Sequence, residues 1–508
     1  MFIRKKQNKS GTISVQVIDK RNGYKVVKTI GSSRDAGEIE RYVHQAHQFI
    51  HRDAAGQGWL FTGQSKDEVI VESFVEQLSN AQVRTVGPEL IFGALFERIG
   101  FSAIPDEMFR HLVIARLAFP LSKLKTVDYL KRYRGIDKSV DAVYRFLDKL
   151  KNQHKEQVCA IAYKHTQKRL GTVACVFYDM TTLYFEAEEE DDLRRIGYSK
   201  DGKFQCPQIL LGLLVGKDGL PIGYDIFEGN KFEGHTLLPV LRRIQSEYGF
   251  EKPIVIADAG LLSNANIQQL LLDGYRFIIG GRIKNEGVGE QEAILSRSVG
   301  MHDGDGFVIK KSDGTRLVVT YSQRRARKDA ANRERGLERL KAQIRSGRLT
   351  KQSINNRGYN RFLQITGSAT VHIDDEKVVA DKKWDGLKGY VSNTDLSAKA
   401  VAENYKHLWH IEKAFRISKS DLRIRPVYHY LRHRIEAHIC IAFAAYTIYK
   451  ELEYLLHRRG ITMTSKRAAE LTQNMYELEY VSPSGQIKRK ILKMDTEQEQ
   501  LYRVIAQS

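Results

Sequence analysis

Three carboxylates have the type and setting to act together in chemistry: Asp179, Asp258 and Glu412. Each aspartate ends a run of apolar β-branched or aromatic residues, 173–178 and 254–257, which predicts a buried strand with an acid at its carboxyl end. Glu412 instead lies in a helical pattern. Taken singly, each acid is at least as typical of an ordinary strand end, turn or solvated helix face as of a catalytic site. Together they suit hard divalent cations, and paired metals about 3.5–4 Å apart can activate a nucleophile at phosphorus.

The helix predicted around Glu412 presents an unusual set of side chains on one face. Residues three, four and seven apart share a stripe of a helix. The stripe combines an aromatic hydroxyl, an indole, a carboxylate, a guanidinium and an ammonium, from Tyr405, Trp409, Glu412, Arg416 and Lys419. Leu408 and Phe415 lie beside it and are predicted to turn that flank into the core. This set favours a nucleic-acid site, because the acid can bind a metal, the cations can bind phosphates and the rings can stack on bases.

The spacing Tyr405-x2-Leu408-x3-Glu412-x6-Lys419 resembles the Tyr-x2-Arg-x3-Glu-x6-Lys signature of DDE transposases of the insertion-sequence-four superfamily. Further similarity lies in Phe-Tyr-Asp179-Met-Thr-Thr, Gly197-Tyr-Ser199-Lys200-Asp, Gln208-Ile-Leu-Leu-Gly-Leu-Leu-Val, Gly229-Asn230-x2-Glu233-x2-Thr236 and Ala-Asp258-Ala-Gly-Leu-Leu-Ser263. The resemblance covers about 173–285 and 384–440. Leu408 departs from the family's Arg, and Arg416 lies on the correct face to serve in its place.

This resemblance implies a bacterial cut-and-paste enzyme with an RNase H-like core. Two Mg²⁺ ions, which Mn²⁺ would replace, would be held by the three catalytic residues Asp179, Asp258 and Glu412. Water would attack the phosphodiester at the element end, and the freed 3′-hydroxyl would attack the opposite strand or target DNA. DNA contacts are expected from Tyr405, Trp409, Arg416 and Lys419. The implied partner is double-stranded DNA, at the element ends and the target, bound by a homodimer.

Other functions stay open at this point. A DNA-binding protein derived from a transposase would occupy inverted repeats without cutting, and a metal nuclease would cut without joining. The first is disfavoured by the presence of all three acids. A tyrosine recombinase, faintly suggested by His429-x-x-Arg432 with Tyr446 or Tyr449, leaves both Asp motifs unexplained. The sequence contains no Gly-rich phosphate-binding loop followed by Lys-Ser/Thr, which argues against ATP hydrolysis.

Two further clusters of possible metal ligands are disfavoured. The acidic run 186–192 is more typical of a solvated turn, because consecutive acids do not converge without a rigid scaffold. Zinc at three histidines is disfavoured because only the first two share a helical face and no Cys joins them. These histidines are His429, His433 and His438.

Charge and composition agree with a polyanionic partner. The 508-residue chain carries a net charge of +20, with a pI near 9.5. Lys and Arg outnumber acids eight to one in 1–30, eleven to three in 322–351 and seven to one in 413–434. Four cysteines form no Cys-x-x-Cys pair, and the start lacks an apolar signal core. These features predict a cytoplasmic protein with reduced thiols, and the family resemblance implies a bacterial, nucleoid-associated one.

The predicted fold class is α/β: an RNase H-like catalytic core interrupted by a β-rich insertion, preceded by a β-hairpin and a mostly α-helical DNA-binding region. A hairpin of 12–18 and 23–30 around Arg21-Asn22-Gly23 precedes a helix near 35–52 and a linker at 56–63. The predicted domains are 1–65 (basic β-hairpin plus helix), 66–170 (helical DNA-binding region), 171–283 (core, first part), 284–390 (β-rich insertion with a basic helix), 391–460 (core, second part) and 461–508 (C-terminal helical tail).

Helices are predicted at 66–80, 87–99, 106–119, 122–133 and 139–169, and core strands at 173–179, 208–216, 220–227, 254–257 and 276–281. Segments 126–133 and 139–150 could form a helix-turn-helix that reads DNA, or part of a plain helical bundle. A gap of 154 residues between Asp258 and Glu412 is too long for a bare connection, so it predicts the insertion. Its basic helix at 323–346 is either a solvated arm or a DNA clamp. Sequence-specific recognition is expected within 1–170.

Overall fold

The structure is a computed structural model that describes residues 1–507 apart from 21–22, 58–65, 77, 188, 199–201, 203–204, 250, 262, 348–354, 356–357, 367–369 and 483–484. The predicted turn residues Arg21 and Asn22, the linker beyond residue 57, Glu188 of the acidic run, and Ser199 and Lys200 lie outside the described residues. The chain divides into two units, 1–83 with 478–489 and 84–477 with 490–508.

The first unit contains a three-stranded antiparallel sheet of β1 (Phe2–Gln7), β2 (Ile13–Asp19) and β3 (Lys25–Ser33). Alternation along β2 turns Val15 and Val17 inward, where they pack with residues of α1 (Ala36–Gln57). Helix α2 (Lys66–Glu76) follows in the sequence. The strands predicted at 12–18 and 23–30 correspond to β2 and β3, and β1 is an additional strand that was not predicted.

An eight-stranded mixed sheet forms the centre of the second unit. Its strands are β5 (Cys175–Tyr184), β6 (Gln208–Val215), β7 (Pro221–Glu228), β8 (Ile254–Ala257), β9 (Arg276–Gly281), β10 (Gly306–Lys310), β11 (Arg316–Tyr321) and β14 (Leu387–Ser392). Their order in the sheet is β10-β11-β14-β9-β8-β5-β6-β7. Strand β5 pairs in parallel with β8, and β8 with β9, whereas all other neighbours are antiparallel.

The turn between β6 and β7 fixes their antiparallel register. Asp218 and Gly219 both have positive φ, 60° and 75°, which is the backbone that a tight Asp-Gly hairpin turn requires. The sequence Lys217-Asp-Gly219 therefore forms the predicted turn. Tyr446 donates a hydrogen bond of 2.7 Å to the Gly219 carbonyl and ties the turn to a long buried helix, α15 (Arg432–Arg458).

Helices cover both faces of this sheet. One face packs on α8 (Leu237–Tyr248) and α9 (Asn264–Leu272), and the other on α15 and the helices around it. The remaining helices are α3 (Ala94–Ile99), α4 (Glu107–Ala118), α5 (Lys123–Arg134), α6 (Val140–Lys149), α7 (Lys155–Leu170), α10 (Val288–Arg297), α11 (Gln323–Arg345), α12 (Asp375–Lys382), α13 (Ala398–Lys406), α14 (Trp409–Arg416), α16 (Ser465–Thr472) and α17 (Thr496–Ala506).

The predicted β-rich insertion at 284–390 is not a separate sheet. Strands β10, β11 and β14, which lie within or at the end of that range, extend the main sheet through hydrogen bonds from β14 to β9. In the described part of this range, α11, β12 (Leu363–Thr366), β13 (Thr370–Ile373) and α12 form a small layer of their own, around Leu340, Phe362 and Val378. An apolar alternating strand looks the same in sequence whichever sheet it joins.

The predicted helical region 66–170 also differs from the structure. Helices α4, α6 and α7 pack on α15 in a single apolar cluster with the sheet, so residues 84–170 belong to the same unit as the catalytic core. A cut after residue 170 would expose that cluster. The predicted C-terminal helical tail contains α16 and α17, and also the strands β15 (Tyr476–Val481) and β16 (Ile487–Ile491). The short strand β4 (Val83–Thr85) completes the described elements.

Candidate active site

The register of two parallel strands places Asp179 and Asp258 side by side. Tyr178 of β5 pairs with Ala257 of β8, so the two aspartates are the next residues along neighbouring strands. Neighbouring strands lie about 4.8 Å apart, which sets the separation of the two backbones. Asp258 directly follows β8 as predicted, but Asp179 is not at a strand end. It lies within β5, at the point where pairing with β8 stops and pairing with β6 continues.

Both aspartates point to the same face of the sheet. Along β5, Val176, Tyr178 and Met180 enter the apolar cluster on one face, whereas Phe177 enters the cluster on the other. Side chains alternate between faces, so Asp179 shares the face of Phe177. The same alternation in β8 puts Asp258 on that face, because Ile254 and Ile256 lie there and Val255 and Ala257 do not.

Helices α13 and α14 lie over this same face. The rings of His407 and His410 lie 6.5 and 6.4 Å from the ring of Phe177, two residues before Asp179. Leu408, Ile411 and Phe415 are buried there, as predicted for Leu408 and Phe415. Glu412 projects from α14 on the exposed side of these contacts. Glu412 therefore belongs to the helical layer over this face, whereas the two aspartates belong to the sheet.

The predicted continuous helix from Tyr405 to Lys419 is broken twice. Helix α13 ends at Lys406, and α14 begins at Trp409. Between them the backbone makes shorter bonds, from the His410 N–H to the His407 carbonyl at 3.0 Å and from Ile411 to Leu408 at 3.1 Å. Residues Ile417–Asp421 then form a wider π turn. Both changes alter the rotation per residue, so the predicted single stripe is wrong as a straight line.

Tyr405 is a buried partner of Asp258. Its hydroxyl donates to Asp258 Oδ1 at 3.1 Å, and its ring packs edge-on against Tyr390 with centroids 5.0 Å apart. Burial, followed by the negative charge of Asp258, raises the pKa of Tyr405. The hydroxyl consequently stays protonated and remains a donor, so it orients the Asp258 carboxylate.

Lys388, which the sequence analysis missed, links the acids electrostatically. Its ammonium lies 4.2 Å from the centroid of the Tyr405 ring. Burial lowers the pKa of Lys388, and Arg325 lowers it further, whereas Asp258 and Glu412 act in the opposite direction. One ammonium is therefore within electrostatic reach of both acids. A lysine on β14 carries no sequence signal for this position.

A cleft of about 440 Å³ opens beside Asp258 and Tyr405. Its walls carry six cationic side chains and four carboxylates. The cations are Arg282, Lys284, Arg325, Arg333, Arg361 and Lys388, and the acids are Asp258, Asp329, Asp381 and Asp385. Arg333 binds Asp385 at 2.6 Å, so part of this charge is already paired. Helix α11, the predicted basic helix, supplies Arg325, Asp329 and Arg333 to the cleft.

The remaining predicted DNA contacts lie further along the helical layer. Trp409 is 49% exposed and lines a different cavity from Tyr405, with Lys413, Lys450 and Glu453. Its ring packs on His410 at 4.1 Å. Arg416 is exposed at the end of α14, and Lys419 is half-buried in the π turn. Their roles at DNA stay predictions.

Glu233 is a fourth carboxylate close to the site. Its Oε2 would lie 3.6 Å from a Cβ added to Gly260, two residues after Asp258. Thr236 of the same motif donates to the Glu233 carbonyl at 2.6 Å, which closes the turn. The motif was recognised in the sequence, but its position beside Asp258 depends on two loops that only the fold brings together.

The donor set of Asp179, Asp258 and Glu412 suits a hard divalent cation, since all ligands are carboxylate oxygens. Among the described residues, no three His, Cys, Asp or Glu side chains are already gathered at metal-ligand distances. His433 lies 2.9 Å from Asp148, and the ring of His429 packs edge-on against the ring of His438.

The family model of the transposase DDE domain matches residues 163–448, more than half of the chain. The chain belongs to the DDE transposase family. The matched range contains all three acids. Among solved structures, the cryo-EM structure of a piggyBac transposase synaptic complex with hairpin DNA is similar to this chain, with a TM-score of 0.39, 10% identity and 76% of each chain covered. No curated protein matches.

Members of the DDE family generally use divalent metal ions, in agreement with the carboxylate donor set. The described part of the chain includes no helix that is both long and apolar enough to cross a membrane.

Proposed function

We propose that this DDE transposase cuts and joins the ends of its own insertion sequence and belongs to the insertion-sequence-four superfamily. The single observation that supports this most is the register of β5 and β8. It sets Asp179 and Asp258 side by side on the sheet face that α14 covers, from which Glu412 projects.

An RNase H-like core is supported by the strand order. Five neighbouring strands, β7-β6-β5-β8-β9, comprise an antiparallel meander β5-β6-β7 followed by parallel β8 and β9. This order gives β5 a central position, with Asp179 on it and Asp258 at the end of the neighbouring strand β8. Strands β14, β11 and β10 then continue the sheet beyond this core.

Two Mg²⁺ ions would be held by Asp179, Asp258 and Glu412, and Mn²⁺ would replace them. When bound, such ions activate an attacking oxygen and stabilise a leaving oxygen at phosphorus. Tyr405 holds the Asp258 carboxylate in one orientation through its hydrogen bond. Lys388 offsets negative charge of Asp258 and Glu412, and it would contact a phosphate that enters the site.

The reaction has two phosphoryl-transfer steps. Water replaces the 3′-oxygen at the phosphodiester of the element end, which leaves a free 3′-hydroxyl. That hydroxyl then attacks the opposite strand or a target phosphodiester and displaces its 3′-oxygen. Arg416 and Lys419 would hold phosphates beside the scissile bond, and the exposed Trp409 would stack on a displaced base.

Double-stranded DNA is the proposed partner, bound by a homodimer that holds two ends. The net charge of +20 and the cationic cleft support a polyanionic partner. Helices α5 and α6, separated by five residues, are the proposed reader of base edges. A bacterial cytoplasmic location, with nucleoid association, is proposed because the proposed family is bacterial and the proposed partner is DNA.

The test uses purified full-length protein and DNA carrying the inverted repeats that flank its gene. With Mg²⁺, end cleavage and joining of paired ends to a plasmid are expected, and Ca²⁺ should support little of either. Cleavage without joining would identify a nuclease instead. Binding without cleavage in Mg²⁺ or Mn²⁺ would identify a silent DNA-binding protein.

A further inference from the structure

A second cationic cavity lies apart from the three acids. It has a volume of about 520 Å³ and is lined by the start of α5, the segment 423–429 and parts of α4, α6 and α15. None of its fourteen lining residues, all of them described, is acidic. Seven are basic or imidazole side chains: Arg116, Lys123, Lys125, Arg423, Arg425, His429 and His438.

Two of these cations are deeply buried without a carboxylate. Arg116 is 6% exposed and Lys123 is 7% exposed. Arg116 donates to the carbonyls of Leu422 at 3.4 Å and Arg423 at 3.2 Å. Both cations approach Nδ1 of His438, at 3.5 and 3.4 Å. Nε2 of His438 lies 2.9 Å from the Ile424 carbonyl, so Nε2 donates and Nδ1 is left to accept.

Burial lowers the pKa of Arg116 to about 10 and the pKa of Lys123 well below its usual value, and no carboxylate opposes this. Other buried charges in the same unit are paired. Glu451 is bound by His165 at 2.8 Å and by Arg169 at 2.9 Å, and Glu436 accepts from Lys155 at 3.0 Å. Buried charges without a counter-charge are costly, and proteins pair them. The cavity is therefore an exception within its own protein.

The backbone beside the cavity is also unusual. Arg423 has a φ of 45°, in the left-handed region that long side chains such as arginine rarely adopt. This conformation belongs to the segment that directs the Leu422 and Arg423 carbonyls onto Arg116. Ser122, the N-cap of α5, lines the cavity, so the helix contributes further positive potential.

We propose that this cavity is a phosphate-binding site whose occupant is a backbone phosphate of bound DNA. A phosphate supplies the negative charge that Arg116 and Lys123 lack, and its oxygens accept hydrogen bonds from both. The rim supports a nucleic-acid source, because Tyr428 lines the cavity at 64% exposure and Tyr430 follows at 62%. Exposed rings beside a phosphate site can stack on bases.

The first experiment measures thermal unfolding of the full-length protein as inorganic phosphate replaces chloride at constant ionic strength. The wild-type midpoint should rise by about 1–2 °C and saturate, as a ligand of the folded state requires. Lys123→Met should abolish this rise. Lys310→Met, which changes an exposed lysine on the edge strand β10, should respond like wild type. If Lys123→Met does not fold, Lys125→Met at the exposed rim should reduce the response instead.

The second experiment identifies the source of the phosphate. Lys123→Met should weaken binding to duplex DNA roughly tenfold and reduce the salt slope by about one unit, whereas Lys310→Met should change neither. A melting response without any change in DNA binding would assign the site to free phosphate and overturn the DNA occupant. No melting response and unchanged DNA binding would overturn the site itself. The DNA occupant rests on the proposed function, but the melting response does not, so the two failures are distinguishable.

Discussion

Replacing Tyr405 with Phe removes one oxygen atom and tests what that oxygen does. The hydroxyl donates to Asp258 at 3.1 Å, and the ring is buried against Tyr390, so Phe fills the same space. The sequence alone assigned Tyr405 to DNA. The structure instead supports a positioning residue that orients a proposed metal ligand.

The expected magnitude follows from the type of hydrogen bond. A bond to a charged group contributes about 1.5–3 kcal/mol, which corresponds to roughly 10–100-fold in an equilibrium constant. Mutating a residue that orients a metal ligand lowers metal affinity by a similar factor, about 10–100-fold. Tyr405→Phe should therefore raise the Mg²⁺ concentration for half-maximal cleavage by that factor and leave DNA affinity near wild type.

The assay is single-turnover cleavage of an element-end duplex across a Mg²⁺ titration, with DNA affinity measured in Ca²⁺. Tyr390→Phe is the matched control, because it removes a neighbouring hydroxyl that is not bonded to Asp258. Weaker DNA binding by Tyr405→Phe with an unchanged Mg²⁺ requirement would refute the positioning role and support the DNA contact that the sequence predicts for Tyr405.

Three further outcomes are expected. Lys388→Met should slow cleavage and reduce the salt slope of DNA binding by about one unit. It should also lower the Mg²⁺ concentration that cleavage requires, because it removes a positive charge near Asp258 and Glu412. A higher Mg²⁺ requirement would contradict this expectation. Burial lowers the pKa of His429 to about 3, against about 6.5 in the unfolded chain, so the unfolded state binds more protons between these values and stability falls as pH drops. Denaturant titrations in chloride buffer should show wild type losing about 2 kcal/mol more than His429→Gln from pH 7 to pH 5, and equal losses would exclude the buried neutral histidine. Glu451→Ala should cost about 3–5 kcal/mol of unfolding free energy, because its cationic partners stay buried, and a cost under about 1 kcal/mol would contradict the pairing.

The strands and helices of the core could be predicted because each carries a clear period. Strand β8, and strand β6 after its first residue Gln208, are apolar, and both strands are buried on both faces, which is typical of central strands. The partner of a strand is not encoded in its own pattern, so β10, β11 and β14 were assigned to a separate insertion. Residues 407–408 have ordinary helix formers, and nothing in them signals the break between α13 and α14.

The candidate site was predictable where one motif holds one residue. Asp258 follows its strand directly, and Glu412 lies in a recognisable helical motif. Lys388 could not be found this way, because β14 brings it beside Tyr405 from outside either motif. The phosphate cavity was equally hidden, since Arg116 and His438 are separated by 322 residues in the chain.

Asp179, Asp258 and Glu412 are proposed to form one cleavage site. The most direct test is the single-turnover rate of end cleavage in Mg²⁺ for Asp179→Asn, Asp258→Asn and Glu412→Gln. Exposed acids elsewhere supply the matched controls, Asp192→Asn and Glu251→Gln. Each site variant should lose all measurable cleavage and bind DNA near wild type, because affinity comes mostly from basic groups, and both controls should cut normally. A site variant that cleaves at close to the wild-type rate would contradict the account.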